Sequence, residues 1–267
     1  MNGLERVYAK ADGGGAGMRG PLEVDAVIFD LGNTLAGGSD TPQAFRASIE
    51  AVVRRLKEMG VEVDARRLAK ARLENRSYFN SVRASTMREV LGEEWMRKDL
   101  EDAGVEVDGR VVEEALKAHV EAVVSMRFAY PDAEACLEAL SSLGYRMAVV
   151  SNVSVHEMAE ETLRRLGLDR YFEALVTSAS VGWRKPHPAI FNEALRRLKV
   201  EAEGAAFVGD DPWADVYGAK SVGMKAIWLR RRPQPEPPTR PDVEVSSLSE
   251  VPPLLVKRRS NGPVEPR

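Results

Sequence analysis

Three apolar runs in this chain each end on residues that can do chemistry. Ala26-Val27-Ile28-Phe29 stops on Asp30, and the turn-prone pair Gly32-Asn33 follows. Met147-Ala148-Val149-Val150 stops on Ser151 and Asn152, a hydroxyl and an amide. Gly204-Ala205-Ala206-Phe207-Val208-Gly209 stops on Asp210 and Asp211, with Asp215 close behind, and Arg184-Lys185-Pro186 lies between the last two runs. A short run rich in β-forming apolar residues reads as a buried strand, and an open α/β sheet builds its active site from groups delivered at the carboxyl ends of such strands. Carboxylates gathered beside one ammonium are the materials of nucleophilic displacement and of hard-cation binding. Taken singly, each piece has a plainer reading. Gly-Asp-Asp-Pro alone is a surface turn with a helix cap, Lys185-Pro186 alone a loop, and Gly32-Asn33 alone a turn. Asp30, after its apolar run, is harder to read that way.

The rest of the chain has to position these ends. At 267 residues, 44% hydrophobic and 30% charged, it has material for one large α/β domain or a domain carrying an insertion. A net charge of −3 gives no reason to expect nucleic acid or an acidic membrane as partner. No apolar stretch approaches the ~20 residues needed to cross a bilayer, and no secretory signal opens the chain. The single cysteine, Cys136, sits in an amphipathic stretch and reads as a core thiol, so a reducing compartment, the cytoplasm, is expected. Residues 1–20, with Gly13-Gly14-Gly15, read as a flexible leader, and Met18 offers an alternative start. From Thr41 to about Met126 the pattern is helical: Phe45, Ile49, Val52, Val53 and Leu56 at helical spacing with Gly60 as a stop, then helices over 65–80, 85–102 and 109–127. From Tyr130 onward, strands and helices alternate, with one helix expected over 214–222, which predicts βαβ units and a parallel sheet. An edge strand and a short helix are expected over 243–255, and a disordered tail over 257–267.

As a set, these motifs resemble the haloacid dehalogenase superfamily, mostly magnesium-dependent phosphatases that use an Asp nucleophile. The resemblance covers about Asp25 to Leu229 and implies a Rossmann-like parallel sheet core (21–40 and 128–256) with an all-helical cap (41–127). It implies that Asp30 is the nucleophile and that Thr34 matches the first motif's threonine. It implies too that Ser151 binds a phosphoryl oxygen, assisted by Asn152, and that Lys185 neutralises the nucleophile and the transferring group. It further implies Mg²⁺ held by Asp30, the Gly32 carbonyl and Asp210, with Asp211 and Asp215 in the outer shell or holding Lys185. Charge agrees: three carboxylates against one ammonium would repel a phosphate dianion unless a divalent cation balanced them. A helical cap closing over the pocket implies a small soluble phosphorylated metabolite as substrate. The oligomeric state is left open.

One position departs from the pattern. Where family phosphatases carry a second Asp that protonates the leaving oxygen, this chain has Gly32. Losing a positioned acid typically costs ~10²–10⁴ in rate. The leading reading remains a phosphatase, with a good leaving group or with the proton supplied from the cap, water or substrate. A dehalogenase, whose halide leaves unprotonated, and a weakly catalytic binding or regulatory module are the alternatives. His119, His156 and His187 are expected to be structural, and Trp183 and Trp213 to pack beside the motifs.

Overall fold

In the computed structural model, residues 20–39 and 41–258 are described. The leader expected over 1–20 and the tail expected over 257–267 fall almost wholly outside them. Lys257, however, donates to the Gly144 carbonyl at 2.6 Å, so the tethered chain reaches further than expected.

The core is a six-stranded, wholly parallel sheet. Its strands are β2 (Ala26–Phe29), β5 (Arg146–Ser151), β6 (Ala174–Thr177), β7 (Ala205–Gly209), β8 (Lys225–Leu229) and β9 (Val243–Val245), in spatial order β6-β5-β2-β7-β8-β9. All four residues of β2 are fully buried. A parallel sheet covered by helices on both faces explains why its sequence is continuously apolar instead of alternating. Alternate residues along each strand feed two separate cores. Val27, Phe29, Val149 and Val208 pack under α5 (Ala133–Ser142) and α6 (His156–Arg165). Ile28, Ala148, Val150 and Phe207 pack under α8 (Pro188–Leu198) and α9 (Gly218–Ser221). Because the chain builds β5 and β6 on one side of β2 and β7 to β9 on the other, β2 lies at the switch point where an open sheet leaves a crevice.

Between β3 (Ala36–Gly37) and β4 (Phe128–Ala129) the chain runs through four helices: α1 (Pro42–Glu58), α2 (Ala65–Thr86), α3 (Gly92–Asp102) and α4 (Gly109–Ser125). β3 and β4 pair antiparallel, so this insert leaves and rejoins the core at one place without disturbing the sheet. Thr41, Asp64 and Asp108 cap α1, α2 and α4 by accepting from the N–H groups of Ala44, Arg67 and Val111. The insert has its own apolar core around Val52, Leu56, Trp95, Leu100 and Val112, and Val155 and Met158 from the sheet domain join it.

Two expected helices differ. The one predicted over 85–102 starts only at Gly92. Met87 adopts a left-handed conformation (φ 56°) that ends α2, and Arg88 forms an isolated antiparallel bridge with Trp183. The helix predicted over 214–222 divides into a π-helical turn, Pro212–Tyr217, and the short α9. Two pairs were outside the expectations: β3–β4, and the parallel pair of β1 (Leu22–Glu23) with β10 (Leu255–Val256). No helix among the described residues is long and apolar enough to cross a membrane.

Candidate active site

β5, β2 and β7 are neighbours, and their carboxyl ends place Ser151, Asp30 and Asp210 side by side on one cavity of about 1110 Å³. Asp30 is 7% exposed, and its backbone N–H donates to the Val208 carbonyl at 2.9 Å, which locks the strand end in register. Lys185 reaches this point from the loop between α7 (Ser178–Val181) and α8. Its Nζ lies 2.6 Å from Asp30 Oδ1 and 2.7 Å from Asp215 Oδ1, and it donates to the Val150 carbonyl at 2.9 Å. Burial alone would lower this ammonium's pKa, but Asp215 and Asp30 outweigh it and raise the value, so the charge is kept.

Asp30, Asp210 and Asp215 can bring one oxygen each within 4.8 Å of one another. The Asp210 carboxyl is pushed up to about 7, first by burial and then by the Asp30 charge. A buried carboxylate cluster with one ammonium among it carries surplus negative charge. That donor set, all oxygen and anionic, fits a hard divalent cation. Asp210 is held from behind by Trp228, whose indole N–H donates to its carbonyl at 3.0 Å. Asp215 fits beneath β7 because residue 209 is glycine: a Cβ there would come 2.3 Å from Asp215 Oδ2.

The structure separates the expected site residues. Asp30, Lys185, Ser151, Gly32 and Asp210 share the cavity wall, and Asp215 pairs with Lys185 there. Asp211 also borders the cavity but is exposed, and its Oδ1 accepts from the N–H groups of Trp213 and Ala214 at 2.8 and 2.7 Å. It caps the π-helical turn, and its own N–H donates to Asp215 Oδ2 at 3.0 Å. Asn152 clamps the lysine: its Oδ1 accepts from Lys185 N at 2.7 Å, and its Nδ2 donates to Lys185 O at 3.0 Å. Its amide thus positions a charged neighbour, and the residue also lines the cavity. Thr34 is fully buried and absent from the cavity wall. Its carbonyl accepts from Arg231 at 3.3 Å, and its hydroxyl, buried without a hydrogen-bond partner among the described residues, is set back from the wall at which a substrate contact is expected.

Among the histidines, His156 bonds the Thr177 hydroxyl at 2.9 Å, and His187 accepts from Ala189 N at 3.2 Å while stacking on Trp183 at 4.0 Å. Both are structural, as expected. His119 differs. It lines the cavity 2.6 Å from Ser48 Oγ, and burial, aided by Arg72, pushes its pKa down to about 3, so it is neutral. Trp213 is 49% exposed and stacked on Tyr217, and Trp183 packs between His187 and Arg88.

The insert supplies the cavity residues that the motifs leave out. Arg72 lies 3.4 Å over the Trp95 ring and 2.8 Å from buried Asp99. The insert is also tied to the loop that carries Lys185. Glu89, its side chain wholly buried, accepts from Arg83 Nε at 2.9 Å, from the Ser178 hydroxyl at 2.5 Å and from Arg184. Backbone bonds Glu89 N to Gly182 O (3.0 Å) and Arg184 N to Met87 O (2.8 Å) run alongside.

Comparison with known proteins agrees with this geometry. Residues 24–223 match a family model described as a haloacid dehalogenase-like hydrolase. A glyceraldehyde 3-phosphate phosphatase of Pyrococcus abyssi is 40% identical over 119 residues, 43% of this chain and only half of that protein's length. The corresponding protein of Methanopyrus kandleri is 30% identical over 211 residues, covering 78% of this chain and 84% of the relative. Among solved structures, a 2-haloacid dehalogenase from Pseudomonas syringae superposes with a TM-score of 0.65 at 29% identity, over 86% of this chain and 97% of the other.

Proposed function

The chain belongs to the haloacid dehalogenase-like hydrolases, and within them we propose that it is a Mg²⁺-dependent phosphatase acting on small phosphorylated metabolites in the cytoplasm. The observation that carries this reading is the crowding of Asp30, Asp210 and Asp215 around one ammonium. Such a cluster repels an anionic substrate unless a divalent cation balances it, and displacement of a halide, which needs no cation, gives no reason for Asp210 to be there. The names of the curated relatives point the same way.

Mg²⁺ would be held by Asp30, Asp210 and the Gly32 carbonyl, and when bound it would supply charge neutralisation on the phosphoryl oxygens. The chain's own residues do the rest. Lys185 orients Asp30 through one oxygen, and the other carboxylate oxygen attacks phosphorus. The P–O bond to the leaving alkoxide breaks, giving an acyl phosphate on Asp30. Water then attacks that phosphorus, releases inorganic phosphate and regenerates the carboxylate. Ser151 binds a phosphoryl oxygen, Asn152 fixes the Lys185 backbone, and the helical insert, residues 41–127, serves as the cap over the core.

The test is phosphate release from a panel of phosphorylated metabolites and haloacids, with Mg²⁺ and with excess chelator. Phosphate release that requires Mg²⁺ and disappears in both Asp30→Asn and Asp210→Asn is expected. Halide release that persists in chelator would assign the chain to the dehalogenases. Retained Mg²⁺ binding with no turnover of any compound would make it a binding module.

A further inference from the structure

Lys185 is held at its backbone from two sides, and one of them belongs to the insert. Asn152 takes the first, bonding both the N–H and the carbonyl of Lys185. On the second, residues 87–89 of the insert run antiparallel to residues 182–184 of the loop after α7. Glu89 N donates to the Gly182 carbonyl, Arg184 N donates to the Met87 carbonyl, and Arg88 bridges Trp183 between them. Lys185 is the next residue along. The Glu89 side chain then fastens this pairing. Its carboxylate is wholly buried and uses both oxygens: Oε1 accepts from Arg83 Nε and from Val90 N, and Oε2 accepts from the Ser178 hydroxyl and from Arg184. Ser178 and Arg184 are core residues, whereas Arg83 and Glu89 are carried by the insert. Packing alone gives no reason for a carboxylate here, because burying one is costly unless charged partners meet it. The partner it meets on the core side is the neighbour of the residue whose Nζ lies 2.6 Å from Asp30 Oδ1.

We propose that Glu89 is a positioning residue for the reaction: by gripping Arg184 from the insert, it sets the backbone from which Lys185 reaches Asp30. This rests on the phosphatase reading for its kinetic consequence, and goes beyond it by tying the nucleophile's ammonium partner to the seating of the insert. Glu89 is not on the cavity wall and acts only through Arg184. The head of the Lys185 side chain is fixed by Asp30, Asp215 and the Val150 carbonyl, but its root is fixed by Asn152 and by the 87–89 pairing. A shift of about 1 Å at the root is enough to cost a reaction about 10²-fold, because the reacting groups must meet in line. An insert lifted from the core withdraws Glu89 from Arg184, so Lys185 is fully set only while the insert is seated.

The experiment takes Glu89→Gln, Arg184→Gln and the double variant of the full chain through two readouts. Glutamine keeps the shape and an accepting oxygen of Glu89 but drops its charge. The first readout is kcat and KM for an aryl phosphate with Mg²⁺. Each single variant is expected to lose about 10–10² in kcat with KM little changed. The double variant is expected to lose no more than the worse single one, as groups acting through one path do. The second readout needs no turnover: competitive acetylation of Lys185 against the exposed Lys199 by acetic anhydride, with Mg²⁺ present. Lys185, buried in wild type, is expected to label several-fold faster relative to Lys199 in all three variants. Asp108→Ala, which removes the cap of α4 outside this joint, is the control. It is expected to lower the melting temperature and leave both readouts at their wild-type values. An unchanged kcat, unchanged labelling, additive losses in the double variant or an equal loss in Asp108→Ala overturns the positioning role, while phosphate release by wild type upholds the phosphatase reading. If wild type releases no phosphate, that reading fails, and the labelling alone decides whether Glu89 positions Lys185. Should Glu89→Gln not fold, Arg184→Gln decides in the same way through both readouts.

Discussion

Gly32 stands on the cavity wall two residues beyond Asp30, with nothing within 4 Å of the point where a side chain would begin. Its backbone is not in the left-handed region, whereas that of Asn33, at φ 59°, is. The turn strain is therefore carried by the asparagine, and the glycine position can accept an ordinary L residue. A missing general acid leaves a phosphatase dependent on the leaving group's own acidity, because the departing oxygen must take its proton from water. Wild type is expected to turn over acyl and aryl phosphates far better than alkyl phosphates. Gly32→Asp is expected to raise alkyl-phosphate hydrolysis by roughly 10–10² while changing acyl-phosphate hydrolysis little. A slope of log kcat/KM against leaving-group pKa, measured for both proteins, checks this. A shallow slope in wild type, with no gain in the folded variant, would mean that another group on the cavity already delivers the proton.

At the scale of elements, the strands and the motif order are legible in the residues because β2, β5 and β7 are continuous apolar runs, and burial on both faces leaves them no other pattern. The helices of the insert are legible for the complementary reason, a helical spacing closed by Thr41, Asp64 and Asp108 caps. What is not legible depends on partners far away in sequence. The late start of α3 follows from Arg88 meeting Trp183, and the choice of Asp215 over Asp211 as the partner of Lys185 follows from the space above Gly209. Thr34 and Asn152 match a motif by position, but whether a side chain faces the cavity or the backbone behind it is decided by packing. Glu89 is the sharpest case: an unremarkable acid in sequence, it is the buried joint between insert and core. Removing it strands the guanidinium groups of Arg83 and Arg184 in a buried setting, at a cost of about 3–5 kcal/mol. Glu89→Ala is accordingly expected to lower the melting temperature by roughly 10 °C. It should also expose the 87–91 segment to limited proteolysis. An unchanged melt and an unchanged digest would show that the insert is held by its apolar contacts alone.

Over the whole molecule, one carboxylate gathers segments from across the chain. Asp132, at the start of α5, accepts from Arg231 at 2.7 and 2.9 Å, from the Ser247 hydroxyl at 2.7 Å and from Leu248 N at 2.9 Å. Arg231 in turn donates to the Thr34 carbonyl and lies 4.3 Å over the Tyr130 ring, so the loop after Asp30 is tied to the chain beyond β8 and β9. Burial alone would raise the Asp132 carboxyl, but these hydrogen bonds and the Arg231 charge outweigh it and hold it at about 2, below the ordinary aspartate value of 3.8. A carboxyl depressed in the folded state stabilises above its unfolded pKa, and that contribution is lost as pH falls through the folded one. The window is therefore from about pH 4 down to about pH 2. Discounted for partial exposure to solvent, the contribution at neutral pH is on the order of 1–2 kcal/mol. Urea unfolding of wild type and Asp132→Asn at a series of pH values isolates it, because every other titrating group cancels in the difference. Wild type is expected to be the more stable by that amount at pH 7, with the gap closing between pH 4 and pH 2 as Asp132 takes up its proton. A gap that stayed constant down to pH 2 would mean that shape and hydrogen bonding, with no help from charge, hold these segments together.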